Sequence, residues 1–134
     1  MRYMIDTNTC IFLMSQMQDV WEHFKLKRHS GVVISSITLA ELEYGVSKSS
    51  MRYKSENRSR LSAFLNLIDV TPFEENATST YGELRFNLQI KGNLIGTMDM
   101  LIAAHAKSNG LILVTDNTNE FERVEGLILE NWRR

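Results

Sequence analysis

Short, nearly continuous apolar runs alternate along this chain with longer amphipathic segments, and that alternation limits its fold more than any other feature. Tyr3-Met4-Ile5, Val32-Val33-Ile34 and Leu111-Ile112-Leu113-Val114 read as strands buried in a parallel sheet, because no polar residue interrupts them. Strands alternating with helices predict an α/β fold, a sandwich with a mainly parallel central sheet, spanning 1–134 as one domain. Acidic residues recur where a run ends or a helix begins: Asp6 after the first run, Glu41 after the second, Asp99 before Leu101-Ile102-Ala103-Ala104, Asp116 after the last. In parallel sheets with helical crossovers, ligands bind in the crevice outside the carboxyl ends of the strands. Carboxylates drawn there from distant segments repel one another, and hard oxygen donors of this kind suit magnesium or manganese. The pattern therefore points to metal-assisted phosphodiester cleavage.

The spacing predicts strands over 2–6, 31–35, 68–71 and 111–115, with 127–129 as an edge strand. Helices are expected over 9–14, 18–27, 38–47, 53–67, 74–91 and 98–108. Gly92-Asn93 and Asn109-Gly110 stop the last two of these. No internal repeat, low-complexity segment or Pro/Gly-rich linker divides the chain, and strand order does not follow from the pattern.

Composition removes several function classes. With 43% hydrophobic and 23% charged residues the chain is an ordinary globular one. Its apolar stretches fall well short of the roughly 20 residues needed to cross a bilayer, and an N-terminus that reaches Asp6 so early does not suit a secretory signal. A lone cysteine, Cys10, cannot form an internal disulfide, which favours a reducing cytoplasm and a small buried side chain. A net charge of −1 offers no global attraction to nucleic acid, so such binding must be local. Lys48, Arg52, Lys54, Arg58 and Arg60, against Glu56 alone, form such a local surface; a solvated helix face is the other reading.

Each carboxylate also has a purely structural reading. Asp6 or Thr7 suits the N-cap of the following helix. Thr38-Leu39-Ala40-Glu41 matches a capping box, in which the glutamate reaches back to the cap amide. Glu43, two residues on, points about 200° away on a helix, so only one of the two glutamates can face a site. Asp99 opens a helix apolar on several sides, where an unpaired carboxylate carries a desolvation cost. Asp116-Asn117-Thr118-Asn119-Glu120 has turn composition and is equally a dense set of oxygen donors. His23 and His29 read as surface residues, and His105 as a core or boundary histidine. No H-x-x-H, C-x-x-C, phosphate-loop or nucleophile-elbow spacing occurs.

Taken in order, "YMIDTNTCIFL", "ISSITLAELEYG", "GTMDMLIAAHAKSNGLILVTDNTNEFERVEGL" and "LENW" resemble the PIN-domain ribonuclease toxins of the VapC type, from bacterial toxin–antitoxin pairs. The resemblance implies a PIN-like α/β/α sandwich and a magnesium- or manganese-dependent endoribonuclease. Asp6, Glu41 and Asp99 match the family's first three acidic residues, and Asp116 and Glu120 its variable fourth region; the E-L-x-Y-G frame selects Glu41 over Glu43. Asp6 and Asp99 would hold the metal, with Glu41 and Asp116 or Glu120 completing the site directly or through water. Thr7, Asn8 and Thr115 would orient carboxylates and water, and the basic stretch would hold the RNA backbone. The resemblance also implies a cytoplasmic homodimer, a cognate VapB-type antitoxin within a larger assembly, and transfer RNA as substrate, in particular the initiator anticodon stem-loop. Two alternatives come from other classes. A haloacid-dehalogenase-type phosphatase also places an aspartate after its first strand, but wants a second acid where Asn8 stands. The other is a non-catalytic module that blocks translation by binding RNA or a protein.

Overall fold

Backbone hydrogen bonding begins with β1 (Tyr3–Ile5) and runs through α1 (Thr7–Met14), α2 (Gln18–Lys27), a single 3-10 turn at Arg28–Ser30, β2 (Val32–Ser35), α3 (Ser36–Ser47) and α4 (Met51–Leu65). It continues with β3 (Asp69–Thr71), α5 (Glu75–Ile90), α6 (Thr97–Ser108), β4 (Ile112–Val114), α7 (Thr118–Phe121) and β5 (Leu129–Glu130). These elements come from a computed structural model that describes residues 2–133; Met1 and Arg134 lie outside the described residues.

All five strands are parallel, in the order β3-β2-β1-β4-β5. The chain winds outward from β1 through β2 to β3, then returns to the other side of β1 with β4 and β5. The direction of winding therefore reverses between β1 and β4, which leaves a crevice at their carboxyl ends. Asp6 and Thr115 lie there by necessity, each one residue past its strand.

The uninterrupted apolar runs have a physical cause, since both faces of the sheet are covered. Tyr3 and Ile5 point into one core with Val32, Ile34 and Val114, beneath Cys10, Leu13, Phe24, Leu42, Leu61 and Phe64. Met4, Val33 and Leu113 point into the other, beneath Leu84, Leu88, Ile102, Ala103 and Phe121. The first core thus carries α1 to α4 and the second α5 to α7. Trp132 is 1% exposed and closes the first core from the C-terminal side, its ring 5.8 Å from that of Tyr3.

The expected helices and strands are all present, with shifted ends. α3 is capped three residues earlier than the capping box implied: Ser35 is the N-cap, its hydroxyl accepting from the Ile37 amide at 3.0 Å. Thr38 and Glu41 consequently lie inside the helix, and the capping-box reading is overturned. His23, expected at the surface, is half-buried with its ring stacked on Trp132 at 5.9 Å. Cys10 is buried, and burial pushes its thiol pKa up. Among the described residues no helix is long and apolar enough to cross a membrane.

Candidate active site

Asp6 is both a cap and a member of the crevice. Its extended backbone makes it the N-cap of α1, with Oδ1 accepting from the Thr9 amide at 2.9 Å. It is 4% exposed. Burial raises its pKa, hydrogen bonds from the hydroxyls of Thr115 and Thr9 and from the Thr9 amide pull it down, and the charge of Asp116 raises it further. An ionisable group held this way is oriented from several sides at once. Cap and site readings are compatible because the cap bond occupies one oxygen of the carboxylate.

Glu41 is half-buried on the side of α3 that meets α1, and Thr7 donates its hydroxyl hydrogen to Oε1 at 2.5 Å. Thr38, fully buried one turn earlier, lies 3.5 Å from the same Thr7 oxygen. Glu43 faces elsewhere and pairs with Arg58 at 2.7 Å. That pairing holds the Glu43 carboxyl below its usual range, which leaves Glu41 as the glutamate of the crevice.

Asp99 sits in the first turn of α6, whose N-cap Gly96 offers no side chain. The Asp99 carboxylate folds back over this glycine: a Cβ there would lie 3.4 Å from Oδ2. The Asp99 pKa is pushed up to about 6, first by burial and then by the charges of Asp6, Glu41 and Glu120. Carboxylates from β1, α3, α6 and the β4–α7 region thus face one another across the crevice where the winding reverses. Asp116 also meets Arg133 at 3.6 Å.

Of the groups expected to orient the acids, Thr7 bonds Glu41 and Thr115 bonds Asp6, while Asn8 is exposed on α1. Thr115 is fully buried and also accepts from the Asn117 amide at 3.0 Å, which shapes the turn carrying Asp116. Sequence reasoning missed Thr9 and Thr38. Thr9 was within reach, because an N-cap aspartate bonds the amide two or three residues on. Thr38 carried no separate signal once it was read as a cap.

The basic stretch divides. Lys48 and Arg60 line a groove of about 670 Å³ between α1, α3 and α4, together with Thr7, Glu41, Ile11 and Met98. Lys48 lies over the ring of Tyr44, 5.2 Å from its centre. Lys54 and Arg58 instead border a separate recess beside Val46 and Met51, and Arg52 lies over Tyr53.

Hard oxygen donors fit magnesium or manganese. Among the described residues no three His, Cys, Asp or Glu side chains stand close enough to cage an ion by themselves. Magnesium is commonly held through one or two carboxylates with several waters retained, and Asp6 and Asp99 are the residues that would supply them.

A parallel α/β/α sandwich with acidic residues gathered at its switch point defines the class of protein to which comparison applies. The PIN-domain family model matches residues 3–127, and the chain belongs to that family. It is 45% identical over 134 residues to Ribonuclease VapC2 of Rickettsia felis, with 98% of each chain covered. It is 42% identical over 133 residues to the tRNA(fMet)-specific endonuclease VapC of Shigella flexneri, again with 98% of each covered. A crystal structure of VapBC2 from Rickettsia felis bound to a DNA fragment from their promoter contains a chain that superposes with a TM-score of 0.92 at 42% identity, covering 98% of this chain and 99% of that one. Membership of the PIN family sets aside the phosphatase alternative.

Proposed function

We propose that this chain is the toxin of a toxin–antitoxin pair, an endoribonuclease that requires magnesium or manganese and cuts transfer RNA. By similarity to the tRNA(fMet)-specific relative of Shigella, its substrate is the initiator species; the anticodon stem-loop is the cut site that the sequence resemblance implies. The observation that carries the reading is the mutual repulsion centred on Asp99, whose carboxyl is held near pH 6 partly by three other acids of the crevice. A fold tolerates such a cluster where a cation resolves it.

In this reading Asp6 and Asp99 hold the ion, and Glu41 with Asp116 or Glu120 completes the acidic wall. When bound, the ion supplies an activated water and offsets negative charge on the leaving oxygen. Thr115 and Thr9 fix the Asp6 carboxylate, and Thr7 fixes that of Glu41, so neither must reorganise when substrate arrives. Lys48 and Arg60 meet phosphates at the edge of the groove. Tyr44, 66% exposed, offers a face on which an unpaired base can stack.

The similar VapBC2 structure, bound to a DNA fragment from their promoter, supports a cognate antitoxin as partner and a larger DNA-bound assembly; within it we place this chain as a homodimer. Site of action and substrate coincide if the protein works in the cytoplasm. The groove beside Glu41 combines apolar walls with proximity to the acids, which suits an amphipathic antitoxin segment.

Purified protein with a transfer RNA pool and magnesium should release discrete fragments, and EDTA should stop the reaction. Asp99→Asn should abolish cleavage while leaving the circular dichroism spectrum intact. Full cleavage by that variant, or full toxicity without cleavage, would replace this reading with the non-catalytic one.

A further inference from the structure

A nucleic-acid strand that approaches five acidic side chains needs cations on both flanks of the crevice. Lys48 and Arg60 supply one flank, on the groove between α1, α3 and α4. On the other flank stands Arg133, and among the described residues its contact with Asp116 is the ion pair that reaches any of these five acids. We propose that Arg133 binds a phosphate of the RNA substrate at the rim of the active site, an inference that rests on the ribonuclease reading above.

Four features of the structure support this assignment. The 3.6 Å separation from Asp116 is longer than the roughly 2.7–2.9 Å of a charge-assisted hydrogen bond. The guanidinium is therefore attracted to the crevice without spending its donors there. Its carbon lies over the Phe12 ring, 4.7 Å from the centre, a cation–π contact that steadies the guanidinium at the rim. Phe12 follows Ile11, which lines the opposite groove, and one residue turns about 100° on a helix. Arg133 and Lys48 thus lie on different flanks of α1. Finally, Arg133 is not a loose tail. The buried Trp132 precedes it, with Nε1 donating to Glu130 at 2.8 Å, and the Arg133 amide donates to Asn131 Oδ1 at 2.9 Å.

A planar fork of N–H donors held this way matches the geometry of a phosphodiester better than an ammonium would. Asp116 keeps the guanidinium at the crevice before substrate arrives, and an incoming phosphate offers a closer partner. Arg133 would then set the direction in which the strand crosses the acids, with Lys48 and Arg60 at the far end.

The test measures binding apart from cleavage. Fluorescently labelled initiator transfer RNA is titrated with Asp99→Asn protein across a series of salt concentrations, with and without Arg133→Met. Loss of one phosphate contact should weaken binding by roughly tenfold and lower the salt slope by about one. Arg133→Lys should keep the slope and recover only part of the affinity, because an ammonium retains the charge without the fork. Thermal unfolding of the same variants provides the structural control. Unchanged affinity and slope in Arg133→Met would overturn the inference alone, provided that Asp99→Asn still binds RNA and the native chain still cuts it. Should Arg133→Met fail to fold, affinity and slope in Arg133→Lys equal to the parent's would overturn the preference for a guanidinium. If the native chain neither binds nor cuts RNA, the ribonuclease reading fails and takes this inference with it.

Discussion

Asp99 gives up its proton reluctantly because burial and the charges of Asp6, Glu41 and Glu120 all oppose ionisation, which places its pKa at about 6. The ordinary aspartate value is 3.8, so between these limits the folded protein binds more protons at this side chain than the unfolded chain does. Stability must then rise as pH falls through that window, because the native state takes up protons. At neutral pH the ionised carboxylate is a destabilising element that solvent screening at a half-exposed site reduces to about 1 kcal/mol. Asp99→Asn removes it. In EDTA, urea unfolding should therefore show the variant more stable than the native chain by about 1 kcal/mol at pH 7.5, and the gap should narrow as pH falls below about 6 and close only near 3.8. A gap that stays constant with pH would mean that the carboxylates of the crevice do not repel one another. The same substitution is expected to end catalysis, so the residue trades stability for function.

At the scale of single elements, α3 shows how one hydroxyl can set the geometry of a site. Ser35 is fully buried, caps α3 through the Ile37 amide, and lies 2.8 Å from Nδ1 of the equally buried His105 on α6. The helices carrying Glu41 and Asp99 are therefore joined at this point, with Phe73 packed edge-on against the imidazole. Ser35→Ala should cost about 1 kcal/mol for the cap and about 1–3 kcal/mol for a buried imidazole nitrogen left unpaired. Thermal denaturation should register a fall of on the order of 10 °C; a fall of a degree or two would show that the junction is unimportant. The sequence allowed several starts for this helix, because Ser35, Ser36 and Thr38 can all cap, and local pattern favoured the residue with a glutamate three places on. Strands β1, β2 and β4 were legible because both of their faces are buried, which leaves no polar residue to blur the run. α7 was not, because four residues make barely one turn and show no periodicity. β5 lies two residues later than expected, since a two-residue edge strand after Gly126, with φ +78°, has too little pattern to fix its register.

At the scale of the whole molecule, the order β3-β2-β1-β4-β5 assembles the site, and it was the part least legible in the sequence. Asp6, Glu41, Asp99 and Asp116 could be named one by one from run ends and helix starts, but their meeting depends on β4 returning beside β1. Such pairing is a property of long-range contacts rather than local preference. The apolar groove shares Thr7 and Glu41 with the crevice, so that a partner lying in the groove would reach the edge of the acids. Ile11, 45% exposed on the groove wall, separates these two surfaces experimentally. Its side chain touches the groove and belongs to none of the groups assigned to metal or RNA. Ile11→Asn removes apolar area at an exposed position, where the cost to folding is within about 0.5 kcal/mol. Cleavage of transfer RNA by the purified variant should match that of the native chain. Affinity for the cognate antitoxin, measured by calorimetry, should fall by roughly tenfold or more, as truncation of a well-seated apolar anchor does. In cells the variant should stay toxic when the antitoxin is co-expressed. Full neutralisation of Ile11→Asn would move the antitoxin off this groove, and loss of cleavage would show that the groove wall takes part in holding RNA.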